Sequence, residues 1–358
     1  MIVKCINAIA PIRICDIGGW TDTWFARYGK VFNIAVYPYV ETQVYVVDDD
    51  RMKSKISLNI ESFDDEYVLN KKIVTRGMYG EKQYHAKDRD EWGKHPLIEY
   101  ALTEMDLPEN YHISINVHSE APAGASMGTS ASVSVALIGA LDRLSEGTMT
   151  PHEVAKKAHD IEVRGLRLQC GVQDQLASAY GGMNYCDILD YPHTIVSPVY
   201  VNDNLWWEME QRMSVFYIGT PHKSSDIHKK VIESMGEKPY CDSRICELRR
   251  LAEAAKNAVC AGDLNRFGNI MSENTEVQRR LHPDLVCDHF EKIIEISKDH
   301  GAIGWKVNGA GGDGGSISIL FSKDMAKKRK MIRAVEESGY SYIPVYFSRK
   351  GLRVWESK

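Results

Sequence analysis

Charged, hydroxyl-bearing and glycine residues concentrate at three places, the first of them near the N-terminus. The run PIRICDIGGWTDT places Arg13, Asp16 and Asp22 around a glycine turn that follows a strand-like segment. Loop polar groups held by a rigid strand are a common substrate site. Asp22 could accept hydrogen bonds from sugar hydroxyls beside Thr21, and Trp20 could stack on the apolar face of a sugar. For Asp16 we favour the plainer role of a turn-capping residue.

The second cluster, PAGASMGTSAS, covers residues 122–132 between a predicted strand and a predicted helix. Small residues there let backbone N–H groups and the helix N-terminus face a phosphate. The hydroxyl of Thr129 or Ser130 could add a ligand to a phosphate or a metal ion. The alternative is that these residues only cap and pack a helix start, which is common for serine and threonine. No Gly-Lys-[Ser/Thr] occurs, so this is not a Walker loop.

The third cluster, KVNGAGGDGG, covers residues 306–315 and holds five glycines in its last seven residues. Such a loop can expose N–H groups to an anion, or it can permit left-handed turns and close backbone packing. A tight hairpin explains a lone glycine loop equally well. A dinucleotide-binding fingerprint is disfavoured because no helix follows the loop.

The first third of the chain is predicted to form mostly strands around these clusters. Residues 2–14, 31–37 and 39–47 are rich in β-branched and aromatic residues, and residues 55–69 are typical of a hairpin. The segment 76–95 is polar and aperiodic, which predicts a loop or lid.

Helices become longer toward the C-terminus. The predicted helices cover residues 96–105, 133–144, 151–166, 242–261, 263–280, 284–300 and 323–338. The predicted strands cover residues 111–119, 183–188, 194–201, 213–219, 303–307, 316–321, 341–347 and 352–355. The composition shifts near residue 200, and a chain of 358 residues usually forms more than one core. We therefore expect two domains, residues 1–200 and 201–358.

Composition excludes several classes of function. The net charge of −5, from 44 Lys and Arg against 49 Asp and Glu, gives no basic field for nucleic acid. The eight cysteines include no Cys-x-x-Cys pair, which argues against a zinc ribbon or a thioredoxin-type redox pair. The N-terminus is too broken for a signal peptide, and no apolar run approaches membrane-spanning length. These observations predict a cytoplasmic protein without a membrane partner.

In this order, the three clusters resemble the signature motifs of the GHMP kinases, the family of galacto-, homoserine, mevalonate and phosphomevalonate kinases. A fourth segment, EVRGLRLQCGVQDQ at residues 162–175, is similar to a galactokinase-type segment in which a metal-binding Glu lies twelve residues before the Asp of Cys-Gly-x-x-Asp-Gln. The resemblance runs from residue 8 to about residue 320. It implies an α/β (α+β) protein with a ribosomal-protein-S5-like N-terminal domain, a ferredoxin-like C-terminal domain and a site between them.

The resemblance also implies roles for single residues in phosphoryl transfer from ATP. Asp174 matches the catalytic base and Arg13 the arginine beside it, while Ser130 and Glu162 match the Mg²⁺ ligands. Phosphoryl transfer depends mainly on positioning and charge neutralisation, and Mg²⁺ prefers oxygen ligands, so these residue types suit the roles. The implied nucleotide-binding residues are Pro122, Gly124, Ser126, Gly128, Thr129, Ser130, Ala131, Gly309, Gly311 and Gly312.

Within the family, the motifs resemble most the D-glycero-D-manno-heptose kinases and the bacterial L-fucokinases. The expected reaction is phosphorylation of the anomeric hydroxyl of D-glycero-D-manno-heptose 7-phosphate, with a free-sugar kinase of the L-fucokinase or galactokinase type as the alternative. A phosphorylated substrate needs a second anion site, for which His222 and Lys223 are the first candidates, although a plain polar loop explains them as well. Arg279 and Arg280 are a less favoured pair.

The sequence also departs from the family pattern and leaves rivals. Ser126 and Met127 stand where Gly-Leu is usual, and residues 220–224 lack the Gly-x-x-Arg of heptose kinases. A non-catalytic sugar sensor on the same fold would be expected to lose Asp174, Glu162 or Ser130, and all three are present. A dinucleotide-dependent oxidoreductase is suggested by the glycine loop alone. A homodimer is left open.

Overall fold

The computed structural model describes residues 1–70, 93–145, 148–219, 224–236 and 238–357. Most of the loop predicted at 76–95 lies outside these residues. The strands are β1 Ile2–Ile17, β2 Gly29–Val47, β3 Lys55–Ile60, β4 Asp65–Asn70, β5 His112–Ser119, β6 Met183–Asp190, β7 His193–Pro198, β8 Met213–Tyr217, β9 Ala302–Val307, β10 Ser316–Phe321, β11 Ser341–Ile343, β12 Tyr346–Phe347 and β13 Arg353–Ser357.

The helices in the described part of the chain are α1 Pro96–Thr103, α2 Thr129–Asp142, α3 Pro151–Asp160, α4 Gln173–Tyr180, α5 Asp203–Arg212, α6 Ser224–Ser234, α7 Ser243–Cys260, α8 Leu264–Leu281, α9 Asp288–Asp299 and α10 Met325–Glu337. A π-helical turn, Ile161–Gly165, continues α3. Short 3₁₀ turns cover Glu61–Phe63, Pro239–Cys241 and Pro283–Leu285. None of these helices has the length and apolarity that a membrane crossing requires.

The larger sheet is built on two long antiparallel strands, β1 and β2. Among the described residues its order is β13-β1-β2-β5-β3-β4, with β6 and β12 also paired to β2 and β7 paired to β6. Strand β5 alternates buried and half-exposed residues, the pattern of a sheet with one face on a core. Helices α2, α3 and α4 pack over this core, and α2 is almost wholly buried.

The smaller sheet is antiparallel in the order β11-β8-β10-β9. Its central strand β10 is buried along its whole length. Helices α7 and α8 pack together and contact both β2 and β9, so they join the two sheets. One apolar cluster accordingly runs from Ile12 and Ile14 on β1 to Phe267 on α8 and Ile317 on β10.

The last strands return to the larger sheet. Strand β13 pairs with β1 from Cys5–Ser357 to Ile9–Arg353, and β12 pairs with β2. The boundary predicted near residue 200 falls in the gap between β7 and α5, and residues 346–357 pair with strands that precede this gap. The predicted α/β class is confirmed. Helices α4, α5 and α6 were not predicted as helices, and the helix predicted over 151–166 changes to a π turn at Ile161.

Candidate active site

A bidentate ion pair lies where β1 meets α4. Arg13 on β1 donates from Nε to Asp174 Oδ1 at 2.8 Å and from Nη2 to Asp174 Oδ2 at 3.0 Å. Arg13 is 4% exposed, whereas the side chain of Asp174 is 28% exposed. A two-bond contact of this kind fixes a carboxylate in one orientation. Arg13 therefore fixes the Asp174 carboxylate in one orientation, while part of the carboxylate stays open to a ligand.

The charge of Arg13 is secured by its surroundings. Burial lowers the pKa of a guanidinium, but Asp174, Asp16 and Asp22 act against that, and the pKa of Arg13 is raised. Its Nη1 donates to the carbonyl of Ser126. Arg13 thus connects Asp174, in the first turn of α4, to Ser126 of the second cluster.

The second cluster forms a loop over residues 122–128, here called the small-residue loop. Its backbone is fixed to both sheets, since Arg13 N donates to Met127 O at 2.9 Å and Ser316 Oγ donates to Ala125 O at 2.7 Å. Gly128 adopts φ +74° as the N-cap of α2. A Cβ there would lie 3.2 Å from the carboxyl carbon of Asp174, so the close approach to Asp174 favours glycine.

Two observations fit this loop to the phosphates of a nucleotide. The N-cap Gly128 has no side chain, so the first N–H groups of α2, at Thr129, Ser130 and Ala131, are not capped by it. Within the described residues, the buried Oγ of Ser126 has no hydrogen-bond partner. An unpaired buried hydroxyl beside an uncapped helix N-terminus is suited to an anionic ligand. Pro122 and Gly124 shape the turn, since Ala125 N donates to Pro122 O and Gly124 has φ +75°.

The third cluster packs against this loop and uses its glycines for close contact. A Cβ on Gly309 would lie 2.9 Å from Ser126 O and 3.3 Å from Arg13 Nη2, and one on Gly311 would lie 2.2 Å from Leu285 O. Gly312 N donates to Leu285 O at 3.2 Å. The N–H groups of Gly309 and Gly312 are engaged within the protein. At these two residues the structure therefore favours close backbone packing over a loop of free anion-binding N–H groups.

Asp16 does not cap its own turn, which corrects the role that we favoured. Both of its carboxylate oxygens accept the N–H of Gly309, at 3.0 and 3.1 Å, and Oδ1 lies 3.2 Å from Lys306 Nζ. Asp16 and Lys306 are buried. Burial would raise the pKa of Asp16, but Lys306, Arg13 and the Gly309 N–H hold it below its usual range.

Asp22 lies beneath the N-terminus of α4. Its Oδ2 accepts the N–H of Gln173 at 3.2 Å, and its backbone carbonyl accepts that of Val172. A Cβ on Gly171 would lie 2.0 Å from Asp22 Oδ2, so only a glycine leaves room for this carboxylate. Burial and the charge of Asp174 raise the pKa of Asp22 from 3.8 to about 6. Asp22 is thus close enough to Asp174 to interact with its charge, and it supports the N-terminus of α4.

Trp20 and Thr21, the other predicted sugar contacts, are placed in the interior. Trp20 is 5% exposed and packs in the core near Phe25, so its ring faces are covered and stacking on a sugar is not supported. Thr21 is buried, and its hydroxyl bonds to the backbone of Gly18 and Lys30. Both residues build the turn that carries Asp22.

Glu162 occupies the π turn that follows α3. Gln175 Nε2 on α4 donates to Glu162 Oε1 at 2.7 Å. Burial, with a contribution from Asp174, raises the pKa of Glu162 to about 7, against the hydrogen bond from Gln175. Gly165 closes the turn against the ring of Tyr100, where a Cβ would lie 2.1 Å from Cε1. A buried carboxylate without a cation partner among the described residues suits a bound metal ion, and π turns are frequent at functional sites.

The residues considered for a substrate phosphate have different outcomes. His222 and Lys223 lie outside the described residues. Arg279 pairs with Glu276 and Glu291, and Arg280 pairs with Glu247 at 2.8 Å. The two arginines are therefore already engaged with carboxylates.

The chain matches two models of one kinase family. The model of the GHMP kinases N terminal domain matches residues 96–182, and that of the GHMP kinases C terminal domain matches residues 251–341. A D-glycero-alpha-D-manno-heptose 7-phosphate kinase of Campylobacter jejuni is 25% identical over 99% of both chains. The chain belongs to the GHMP kinases. It is an ATP-dependent phosphotransferase whose acceptor is an alcohol group, which confirms the resemblance seen in the sequence.

Two further matches place this GHMP kinase among its relatives. A bifunctional fucokinase/GDP-fucose pyrophosphorylase of Arabidopsis thaliana is 23% identical over 94% of this chain, which spans only 32% of that protein. The crystal structure of a D-glycero-D-manno-heptose 1-phosphate kinase from Bacteriodes thetaiotaomicron superposes with a TM-score of 0.72 at 20% identity, covering 99% of both chains. That structural likeness supports the fold.

Sequence reasoning gave no role to several residues that build the site of this GHMP kinase. Asn308 Oδ1 accepts the N–H of Cys15, Asn274 Oδ1 accepts that of Gly18, and Gln175 orients Glu162. Lys306 stood inside the third motif without a function. Gln175, Lys306 and Asn308 lie inside the quoted motifs, but the sequence does not show which residues they contact. Asn274 lies outside the motifs, and its partner Gly18 is 256 residues away.

Proposed function

We propose that this GHMP kinase transfers the γ-phosphoryl group of ATP to the anomeric hydroxyl of D-glycero-D-manno-heptose 7-phosphate, with Asp174 as general base. The observation that supports it most is the half-open Asp174 carboxylate. It is fixed by buried Arg13 and lies against Gly128 at the start of α2. A carboxylate next to a helix N-terminus that can receive phosphates suits phosphoryl transfer to a hydroxyl.

The residues divide the reaction as follows. Asp174 accepts the proton of the sugar hydroxyl. The hydroxyl oxygen forms a bond to the γ-phosphorus, and ADP leaves with the electrons of the bond between that phosphorus and the bridging oxygen. Arg13 holds Asp174 in place and offsets negative charge at the transferring group. The N–H groups of the first turn of α2 and the Ser126 hydroxyl would receive the phosphates. Glu162 and Ser130 would hold Mg²⁺, which would neutralise negative charge on the phosphates.

The proposed acceptor follows from the relatives that match this chain over its whole length. The bacterial relative is named a heptose 7-phosphate kinase, and a structural neighbour is named a heptose 1-phosphate kinase. Asp22, predicted from the sequence to accept a hydrogen bond from a ring hydroxyl, is 2% exposed and accepts the Gln173 N–H, so it supports α4 and not the proposed acceptor. A free sugar of the L-fucose type is the second candidate, since the plant relative is named a fucokinase.

A substrate phosphate requires a second cationic site. Arg279 and Arg280 are already paired with carboxylates, so they are weaker candidates than they were from sequence. His222 and Lys223 therefore stay the proposed anion contacts on sequence grounds. Lysine binds phosphate as a point charge, without the bidentate geometry of arginine.

Turnover measured side by side on heptose 7-phosphate, free heptose and L-fucose, with ATP and Mg²⁺, tests the proposal. We expect the highest kcat/KM on heptose 7-phosphate and a product with phosphate at the anomeric carbon by ³¹P NMR. Lys223→Ala should raise KM for the 7-phosphate and leave KM for free heptose unchanged. Preference for an unphosphorylated sugar would overturn the heptose-phosphate assignment and leave the kinase chemistry intact.

A further inference from the structure

A second ion pair lies next to the catalytic one. Lys306 at the end of β9 and Asp16 at the end of β1 are joined at 3.2 Å, and their side chains are 0% and 2% exposed. Asp16 lies three residues after Arg13, and Lys306 lies three residues before Gly309. Each partner is thus coupled through its own strand to a residue of the active site.

Stability alone gives a weak reason for this pair. Removing two charges from water carries a large desolvation cost, and well-packed apolar residues often replace a buried pair without loss. The two sheets are also joined here by other buried bonds, from Cys15 N to Asn308 Oδ1 at 3.0 Å and from Gly18 N to Asn274 Oδ1 at 2.8 Å. The contact between the sheets therefore does not depend on Asp16 and Lys306.

The contacts of Asp16 lead instead to Arg13. Its two oxygens hold the N–H of Gly309, and Gly309 packs on the Ser126 carbonyl and on Nη2 of Arg13. Nη2 is the atom that donates to Asp174 Oδ2. A displacement of Gly309 would therefore reach the guanidinium that orients the base.

Charge balance gives Lys306 a second effect. Asp16 and Asp174 both attract Arg13 electrostatically. The Lys306 ammonium neutralises the Asp16 carboxylate, so the Arg13 guanidinium interacts mainly with Asp174. Without that ammonium, a buried and uncompensated Asp16 would compete with Asp174 for Arg13.

We propose that Asp16 and Lys306 are positioning residues. Asp16 holds Gly309 in contact with Arg13, and Lys306 neutralises Asp16 so that the Arg13 guanidinium pairs with Asp174. The inference rests on the function proposed above for Arg13 and Asp174. Neither Asp16 nor Lys306 needs to touch a substrate, because both act through Arg13.

The test uses three variants of the full chain: Lys306→Met, Asp16→Asn and the double variant Asp16→Asn/Lys306→Met. Lys306→Met should lower kcat by about 10²-fold with little change in either KM, which is the scale expected when a catalytic group is misplaced by about 1 Å. The double variant should recover at least about tenfold of that loss, because an asparagine side chain at position 16 still accepts the Gly309 N–H and no longer attracts Arg13. Rates are compared at a temperature where circular dichroism shows each variant folded.

Lys328→Met, on α10, provides a matched control. Lys328 is also a buried lysine, and its Nζ donates to the carbonyls of Gln211 and Met213. Its replacement should lower the melting temperature without changing kcat. If Lys306 had only a structural role, Lys306→Met would likewise lower the melting temperature and leave kcat unchanged.

The outcomes separate this inference from the proposed function. If Lys306→Met keeps the wild-type kcat while Asp174→Asn is inactive, the positioning role is wrong and the proposed function stands. If Asp174→Asn keeps the wild-type kcat, the proposed function is wrong and the inference is overturned with it. A double variant as slow as Lys306→Met would also overturn the charge-balance argument. If Lys306→Met does not fold, Lys306→Gln takes its place, since it removes the ammonium charge and keeps a donor for Asp16. An unchanged kcat in folded Lys306→Gln would again overturn the charge-balance argument.

Discussion

Two ion pairs, Arg13 with Asp174 and Lys306 with Asp16, lie next to each other at β1. They differ mainly in how far their side chains are exposed to solvent. In the first, Arg13 is buried and the side chain of Asp174 is 28% exposed; in the second, Lys306 and Asp16 are both enclosed. The residue types are nearly the same. The half-open carboxylate can meet a ligand, whereas the enclosed one can act only on its protein neighbours.

The comparison extends to two further carboxylates around Asp174. Asp16 has a buried cation partner and a lowered pKa, whereas burial raises the pKa of Asp22 and of Glu162. Burial acts on all three, so the partner decides the direction. A carboxylate that the fold keeps buried without a cation is costly, and such groups are frequent at functional sites.

Loss of the open carboxylate should have the largest effect. Asp174→Asn should lower kcat by about 10²–10⁴, the usual contribution of general acid–base catalysis, while ATP binding by calorimetry stays near the wild-type level. Asp284→Asn, which removes a carboxylate from a surface pair with Lys230, is the control and should keep its turnover. Near-normal turnover of folded Asp174→Asn would show that openness does not identify the base.

The same substitution at the two enclosed aspartates should have opposite effects on stability. Asp16→Asn leaves Lys306 buried and unpaired, which should cost about 3–5 kcal/mol at pH 7. Asp22→Asn keeps an acceptor for the Gln173 N–H and removes a buried charge. Since the pKa of Asp22 rises from 3.8 to about 6 on folding, ionised Asp22 destabilises the fold by up to about 3 kcal/mol above pH 6.

The sign can be checked by denaturant unfolding between pH 4 and pH 8. The contribution of Asp22 to wild-type stability is present below pH 3.8 and is lost as the pH rises through 6. The stability gained in Asp22→Asn should therefore be greatest near pH 8 and shrink toward pH 4. If Asp22→Asn is less stable than the wild type at pH 8, the hydrogen bond that Asp22 accepts from the Gln173 N–H stabilises the fold by more than the buried charge destabilises it.

Glu162 allows a third test, on metal rather than on protein stability. Glu162→Gln should raise the Mg²⁺ concentration needed for half-maximal rate by roughly 10-fold or more, since even an outer partner of a ligand is worth about 10–100-fold. Ser130→Ala should act in the same direction but less strongly. Glu104→Gln, on a carboxylate paired with Lys157, is the control. An unchanged Mg²⁺ dependence in both variants would place the metal elsewhere.

Local signals in the sequence predicted much of this fold. Alternation predicted β5, and Pro151 with apolar residues at helical spacing predicted α3. Helix α4 was missed because its N-terminus is satisfied from a distance, by Asp22, 151 residues earlier in the chain. Long-range hydrogen bonds leave no local pattern.

The site shows the same limit. The resemblance to the GHMP kinase motifs pointed to Arg13 and Asp174, which the structure joins across 161 residues. Residue type misled at Trp20, where an aromatic ring suggested stacking but the turn buries it, and at Asp16, whose partners lie near residue 306. The resemblance of the motifs thus indicated the chemistry, whereas the supporting contacts required the folded chain.

The smallest effect is expected at a third pair, which links the same two halves of the molecule at the surface. Lys30 on β2 and Glu253 on α7 lie 2.8 Å apart, with side chains 32% and 48% exposed. Exposed pairs contribute about 0–1 kcal/mol because water screens the attraction and both side chains lose rotamer freedom. Glu253→Gln should therefore lower the free energy of unfolding by less than about 1 kcal/mol and leave kcat unchanged, with the difference shrinking further in about 1 M salt. A loss as large as that of Asp16→Asn would mean that bridging the two halves, rather than enclosure beside Arg13, explains the importance of the buried pair.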